Sequence, residues 1–210
     1  MSADVEERLV FFGCLFFAII LHEISHGVVA LFYGDDTAKR AGRLTLNPIP
    51  HLDPVGSLIL PAMAVLAGAP VLGWAKPVPV NPSKLRDPRR QMLYVGLVGP
   101  FTNFALMLVA AVAARSLAGG FSGDQIDLRF VLVAFALVNL FLGVFNLLPI
   151  PLLDGASLIE RFLPRSWLPA WWKFRPFGFL ILFVGLFYIR ILDKIISPFA
   201  RALATFIGSG

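Results

Sequence analysis

The chain alternates long apolar blocks with short polar segments rich in proline and glycine, a rhythm that predicts membrane-crossing helices rather than one soluble core. As a helix, the first block, residues 9–33, would be about 37 Å long at 1.5 Å per residue, enough to cross a bilayer with tilt. Gly34-Asp35-Asp36 ends it. Residues 35–54 are polar and mixed. Within them Arg43-Leu44-Thr45-Leu46-Asn47 alternates as a short strand does, before Pro48, Pro50 and Pro54 exclude a helix. Residues 55–75 are apolar again but interrupted by Pro61, Gly68, Pro70 and Gly73. Further spans are predicted over 91–117 and 129–148, joined by a turn at 118–128 and stopped by Pro149 and Pro151. Residues 162–176 gather Trp167, Trp171 and Trp172 with Arg165, Lys173 and Arg175, the composition of a segment lying at the headgroups. A last span is expected at about 177–192, then a surface-lying tail over 193–210. The expected fold class is an all-α polytopic membrane protein with about four transmembrane helices, a membrane-dipping segment at about 55–75 and a short β element near 43–47.

Composition sharpens this picture. Of 210 residues, 58% are hydrophobic and 15% charged, with a mean hydropathy of +0.79. No stretch is long and polar enough for a separate soluble domain, so residues 1–210 read as a single integral-membrane domain. The net charge of +5 sits in short loops. In 76–90, Lys76, Lys84, Arg86, Arg89 and Arg90 stand against Asp87 alone. That pattern marks a cytoplasmic loop of a cell-membrane protein, and no nucleic-acid partner is expected. Cys14 is the only cysteine, which excludes an intrachain disulfide and a zinc ribbon. The N-terminus carries Asp4, Glu6 and Glu7, unlike a cleaved signal peptide, so the first block is expected to remain and span.

Candidate chemistry lies inside that block. His22-Glu23-Ile24-Ser25-His26 places two imidazoles at i and i+4, on one helix face, where both can reach one ion. Glu23 is then placed to take a proton from water at that ion. Ionisable groups are expensive in hydrocarbon, so three at this spacing are poorly explained as a polar patch between helices. A catalytic zinc wants three protein ligands and an open position. His51 or a carboxylate near an apolar segment (Asp53, Asp154, Glu160 or Asp193) can supply the third. Asp154 stands out by its setting, Asn146-Leu147-Leu148-Pro149-Ile150-Pro151-Leu152-Leu153-Asp154-Gly155. The prolines free backbone groups there, which membrane depth tolerates only beside protein or a wet cavity. A plain helix-end cap is the alternative for Asp154. In its Pro-rich loop, His51 reads as a hydrogen-bonding or substrate-gate residue rather than a ligand.

A His-Glu-x-x-His helix followed by Asn-x-x-Pro-x-Pro-x-x-Asp-Gly resembles the site-2 protease family of intramembrane zinc metalloproteases. Gly99-Pro100-Phe101-Thr102-Asn103 is similar to that family's Gly-Pro-x-x-Asn element. Residues 42–48, 51–54 and 73–81 resemble its compact branch without a PDZ domain, and the likeness covers roughly residues 10–160. The resemblance implies one zinc ion per chain, with His22, His26 and Asp154 as ligands and Glu23 as general base. It further implies that Asn146 orients substrate or stabilises the oxyanion. Asn103 and His51 are candidates for the same surroundings, although Asn103 serves equally well as a bridge between helices. The implied substrate is a membrane-spanning protein, cut within or next to its transmembrane segment.

One constraint follows from the ligand set. If Asp154 and His26 share an ion, the first helix and the 129–148 span run parallel, and both oppose the 91–117 span. Residues 55–75 are too short for two crossings, so they are expected to dip in and return. With 76–90 cytoplasmic, the active site would lie near the cytoplasmic face and the N-terminus outside. Rival classes fit less well. A metal transporter or metal-binding membrane protein needs ligands along a path, and a diiron hydroxylase needs more than the three histidines present. An inactive helix-binding relative would have no use for Glu23.

Overall fold

The computed structural model describes residues 3–59, 62, 63, 66, 75–117, 127–178 and 191–208. Helix α1 (Ala3–Phe32) begins before the apolar block and takes in the acidic N-terminal turns, where carboxylates favour the positive end of the helix dipole. It stops in a Schellman turn. The Asp35 amide bonds the Ala30 carbonyl at 2.9 Å and the Gly34 amide bonds that of Leu31 at 3.0 Å. Gly34 sits at φ 107, a left-handed conformation that costs glycine little. The same device closes the short α2 (Thr37–Arg40), with Gly42 at φ 64 and the Arg43 amide on the Ala38 carbonyl at 3.0 Å. The turn sends the Arg43 side chain into the protein, where it is buried.

The β element expected near 43–47 is not formed, and no strand occurs among the described residues. Local side chains occupy the backbone groups a ladder would need. The Asn47 amide bonds Thr45 Oγ1 at 3.1 Å, the Ile49 amide bonds Asn47 Oδ1 at 3.1 Å, and the Thr45 carbonyl meets the His51 ring at 3.0 Å. Residues 43–47 therefore bend rather than extend.

Helix α3 (Pro88–Ser116) starts with proline in its first turn and Asp87 as N-cap, accepting from the Arg90 amide. Helix α4 (Leu128–Asn146) is capped by Asp127, which accepts from the Phe130 amide at 2.7 Å. Helices α1, α3 and α4 are long and apolar enough to cross a membrane. About four spans were expected; most of the fourth, at 177–192, lies outside the described residues. So does most of the expected membrane-dipping segment at 55–75, beyond a single π-helical turn over Pro54–Ile59.

Contacts between the three helices set their directions. His22 meets Asn103 and His26 meets Val95, so α1 and α3 are antiparallel. Phe11 packs on Phe130 and Phe17 on Phe135, so α1 and α4 run parallel. Small residues let α3 and α4 approach closely: Ala110, Ala111 and Ala114 face Ala136, Leu140 and Val144. Helix α7 (Ile191–Gly208) closes this core with Leu203 and Ile207. Between α4 and α7 lie the short α5 (Ala156–Phe162) and α6 (Leu168–Phe174). Trp167 and Trp172 are exposed there, as befits a headgroup-level segment.

Two loops are tied at the C-terminal end of α1. Buried Asp35 accepts from the Thr37 amide and hydroxyl and, at 2.6 Å, from the Asn81 amide. Asp36 meets Lys84 at 2.7 Å. The chain that leaves α1 at residue 33 is thus back beside the same helix end by residue 81.

Candidate metal centre

On α1 the one-turn spacing brings His22 and His26 to one face, and both are buried against α3. Gly99 makes that contact possible: a Cβ there would lie 2.5 Å from His22 Cε1 and from His26 Nε2. Pro100, inside α3, has no amide to give the Gly96 carbonyl. On the same turn the Val95 carbonyl accepts from His26 Nδ1 at 2.5 Å. A carbonyl only accepts, so Nδ1 carries a proton, and in the neutral ring Nε2 then presents a lone pair.

Asp154 arrives from the far side. After α4 ends, Pro149 and Pro151 prevent further helix, and the Gly155 amide returns to the Asn146 carbonyl at 2.7 Å. A side chain at 155 would stand 2.3 Å from the Leu147 carbonyl oxygen, so only glycine permits this fold of the loop. Asp154 Oδ2 then lies 3.0 Å from His22 Nε2 and 3.3 Å from His26 Nε2, and the two Nε2 atoms are 3.0 Å apart. Asp154 Oδ2 is buried and receives no hydrogen bond.

This donor set fits zinc. Three acceptor atoms converge in a triangle of the size that bonds of about 2 Å require, and a neutral His26 has no proton left to separate them. A divalent cation is the group such a cluster accommodates. Among the described residues it is the one cluster of histidine, cysteine and carboxylate side chains close enough for that.

Glu23 points to the adjoining cavity, of about 320 Å³, and its Oε2 accepts from the Val78 amide at 2.7 Å. Val78 belongs to an irregular segment, 75–80, pinned by buried Arg43, whose guanidinium reaches the carbonyls of Lys76 and Pro77, and by the Lys76 amide on the His51 carbonyl at 2.9 Å. Asn146 also lines the cavity, with its amide nitrogen 3.1 Å from the Leu142 carbonyl. Ser157 and Glu160 of α5 complete one wall, and Trp171 of α6 donates to Glu160 at 3.0 Å.

The remaining two expected residues do not line this cavity. Asn103 is fully buried behind His22, its Oδ1 2.6 Å from Nδ1 and its amide nitrogen 2.8 Å from Asn139 Oδ1. His51 is fully buried in the single turn Ile49–His51 after α2, its ring 3.0 Å from the Thr45 carbonyl, and is not part of the ligand cluster. Sequence reasoning passed over three residues that touch the site's framework. Arg43 reads only as part of an alternating segment, with nothing in its spacing to point to residues 76 and 77. The Val78 amide is a backbone group and is invisible in a sequence. Asn139 did leave a signal, a lone amide in an apolar span.

Comparisons with known proteins place the geometry among relatives. Residues 121–183 match the model of peptidase family M50. The chain is 36% identical over 196 residues to the Bacillus subtilis protein named "Putative zinc metalloprotease YwhC", covering 90% of this chain and 84% of that one. It is 32% identical to "Putative zinc metalloprotease Rip2" of Mycolicibacterium smegmatis, over 80% of this chain and 62% of the relative. Zinc metalloprotease MJ0392 of Methanocaldococcus jannaschii is 25% identical over 75% of this chain and 35% of its own length. No solved structure matches the chain.

Proposed function

The chain belongs to peptidase family M50, zinc metalloproteases of the site-2 type that its motifs resemble, and we propose that it is an intramembrane endopeptidase. Its substrate would be a membrane-spanning protein, cut at a peptide bond within or next to the span. The observation that carries this reading is the depth of the site. His26 lies six residues before the end of α1, about 9 Å along the axis at 1.5 Å per residue, well inside an apolar helix. A cluster this costly in hydrocarbon calls for a function there.

In this reading His22, His26 and Asp154 hold one zinc ion. Bound there, the ion supplies a Lewis acid that polarises the scissile carbonyl and acidifies water. Glu23 takes the proton of the attacking water and delivers it to the leaving amine. The Val78 amide holds Glu23 Oε2, leaving the other carboxylate oxygen for that proton. Asn146 keeps a second amide hydrogen beyond its bond to Leu142, available to a substrate carbonyl oxygen. A helical substrate hides its carbonyls in i→i−4 bonds, so a segment must unwind before it enters the cavity. The basic loop over 76–90, tied to the same end of α1 as the ligands, supports a site near the cytoplasmic face of the cell membrane.

The test compares zinc content and cleavage of a model transmembrane substrate for wild type, Glu23→Gln and Asp154→Ala. Near-stoichiometric zinc is expected in wild type and Glu23→Gln, with less in Asp154→Ala. Cleavage is expected from wild type alone, with Glu23→Gln slowed by about 10²–10⁴-fold or more. Full zinc in Asp154→Ala would remove Asp154 from the ligand set.

A further inference from the structure

Behind His22 runs a chain of amides that crosses two helices and ends on a backbone carbonyl. His22 Nδ1 faces Asn103 Oδ1 at 2.6 Å, Asn103 Nδ2 faces Asn139 Oδ1 at 2.8 Å, and Asn139 Nδ2 faces the Phe135 carbonyl at 2.8 Å. Both asparagines are fully buried, so no solvent competes for their groups.

The direction of this chain follows from its far end. The Phe135 carbonyl only accepts, so the Asn139 atom beside it is the amino group. Asn139 then turns its oxygen to Asn103, and an oxygen must be met by the Asn103 amino group. Asn103 is left with its oxygen toward His22, and that oxygen takes a proton from Nδ1. Reversing any one amide would set two donors or two acceptors face to face in a buried site, where an unsatisfied polar group is costly. We propose that Asn139 and Asn103 are positioning residues that set the His22 tautomer, fixing the proton on Nδ1 and the lone pair of Nε2 toward His26 and Asp154. The signal originates on α4, a helix that contributes no ligand from its own length. His26 needs no such relay, because its Nδ1 meets the Val95 carbonyl directly.

The inference rests on the metal-site reading for its consequence, the readiness of Nε2 to bind zinc. Its structural content, the tautomer, stands without metal. Histidine-labelled protein in detergent, stripped of metal, is therefore examined first by nitrogen NMR. Wild type is expected to show His22 protonated at Nδ1, and Asn139→Leu a mixture of both tautomers. A neutral His22 protonated at Nε2 instead of Nδ1 in wild type, or an unchanged Nδ1 form in Asn139→Leu, overturns the proposal. Zinc affinity is then read by competition with a chelator, using Zn²⁺ alone as the probe. Asn139→Leu is expected to weaken binding about 10-fold and Asn103→Leu up to about 100-fold, as for other outer partners of metal-bound histidines. Asn103→Asp supplies Nδ1 with an acceptor whichever way it turns, but sets its second oxygen against Asn139 Oδ1, so it should lose less zinc affinity than Asn103→Leu. In that background Asn139→Leu should have little further effect. An equal loss from Asn139→Leu in both backgrounds would mean general packing and overturn the relay. If wild type binds no zinc while the tautomer result holds, the metal-site reading fails and the relay does not.

Discussion

At the scale of single residues, the centre depends as much on side chains that are missing as on those present. Gly99 brings α3 against the two histidines. In Gly99→Ala the new Cβ would overlap His26 Nε2 at 2.5 Å. Neither neighbour is the far end of a flexible chain, so the helices must separate, at about 1–3 kcal/mol. We expect Gly99→Ala to fold with zinc affinity reduced tenfold or more, about the loss seen when a ligand is misoriented; chelator competition measures it. Unchanged affinity would show that α3 yields without disturbing the pair. The His22–His26 pair was legible in the sequence because helical spacing alone puts both imidazoles on one face, and Glu23 because it follows the first of them directly. Asp154 stood out through its broken-helix setting, although spacing alone could not exclude His51. The structure separates them: Asp154 Oδ2 lies within 3.3 Å of both ring nitrogens, whereas the His51 ring turns to the Thr45 carbonyl.

At the scale of elements, the connections between helices carry the functional geometry. The irregular segment 75–80 holds Glu23 through one amide and is itself held by Arg43. Arg43→Met should lose about 2–3 kcal/mol of stability with those charged hydrogen bonds. Its turnover should fall about tenfold or more as Glu23 loses its support, a part of the 10²–10⁴ that the proposed general base would contribute. Zinc content should be unchanged, since no ligand touches Arg43; retained turnover at full zinc would disconnect segment 75–80 from Glu23. The clamp at Asp35 gives a pH dependence. Burial alone would raise its pKa, but bonds from Thr37 and the Asn81 amide outweigh it and hold the carboxylate below its ordinary value. A group depressed in the folded state stabilises above its unfolded pKa of about 3.9 and loses that contribution as pH falls through the folded value. Thermal melting of wild type should therefore drop steeply below about pH 4, and Asp35→Asn should start lower and respond less. Parallel pH profiles for the two proteins would remove Asp35 as the source. Residues 43–47 are instructive here. Their alternation reads as a strand, yet Asn47, Thr45 and His51 take up the backbone groups, because short polar side chains compete with a ladder for them.

At the scale of the whole molecule, a few contacts determine topology. Asp36 on Lys84 and Asp35 on the Asn81 amide put the loops after α1 and before α3 on one side, and the length of α3 puts residue 117 at the opposite end. The native Cys14 is buried, so introduced cysteines can be read against a quiet background. Cysteines at 40 and 86 should react with an impermeant maleimide only after the cell membrane is opened, and a cysteine at 117 should react from outside. Labelling of 40 and 86 from opposite sides would contradict the tie at the end of α1. Labelling of both from outside would invert the proposed cytoplasmic placement.

Sequence alone determined the membrane class, the three described spans, the histidine pair and its glutamate, and a short set of third ligands. These depend on periodicity, hydropathy and one-turn spacing, which are local properties. Tertiary structure decided what is non-local. It brought Asp154 across to α1, moved Asn103 behind His22, enlisted Asn139, and pinned Glu23 to a backbone amide. Each of these depends on which helix faces meet and how far apart they stand. No single segment encodes that, because close packing and the pairing of every buried polar group are satisfied only by the assembled molecule.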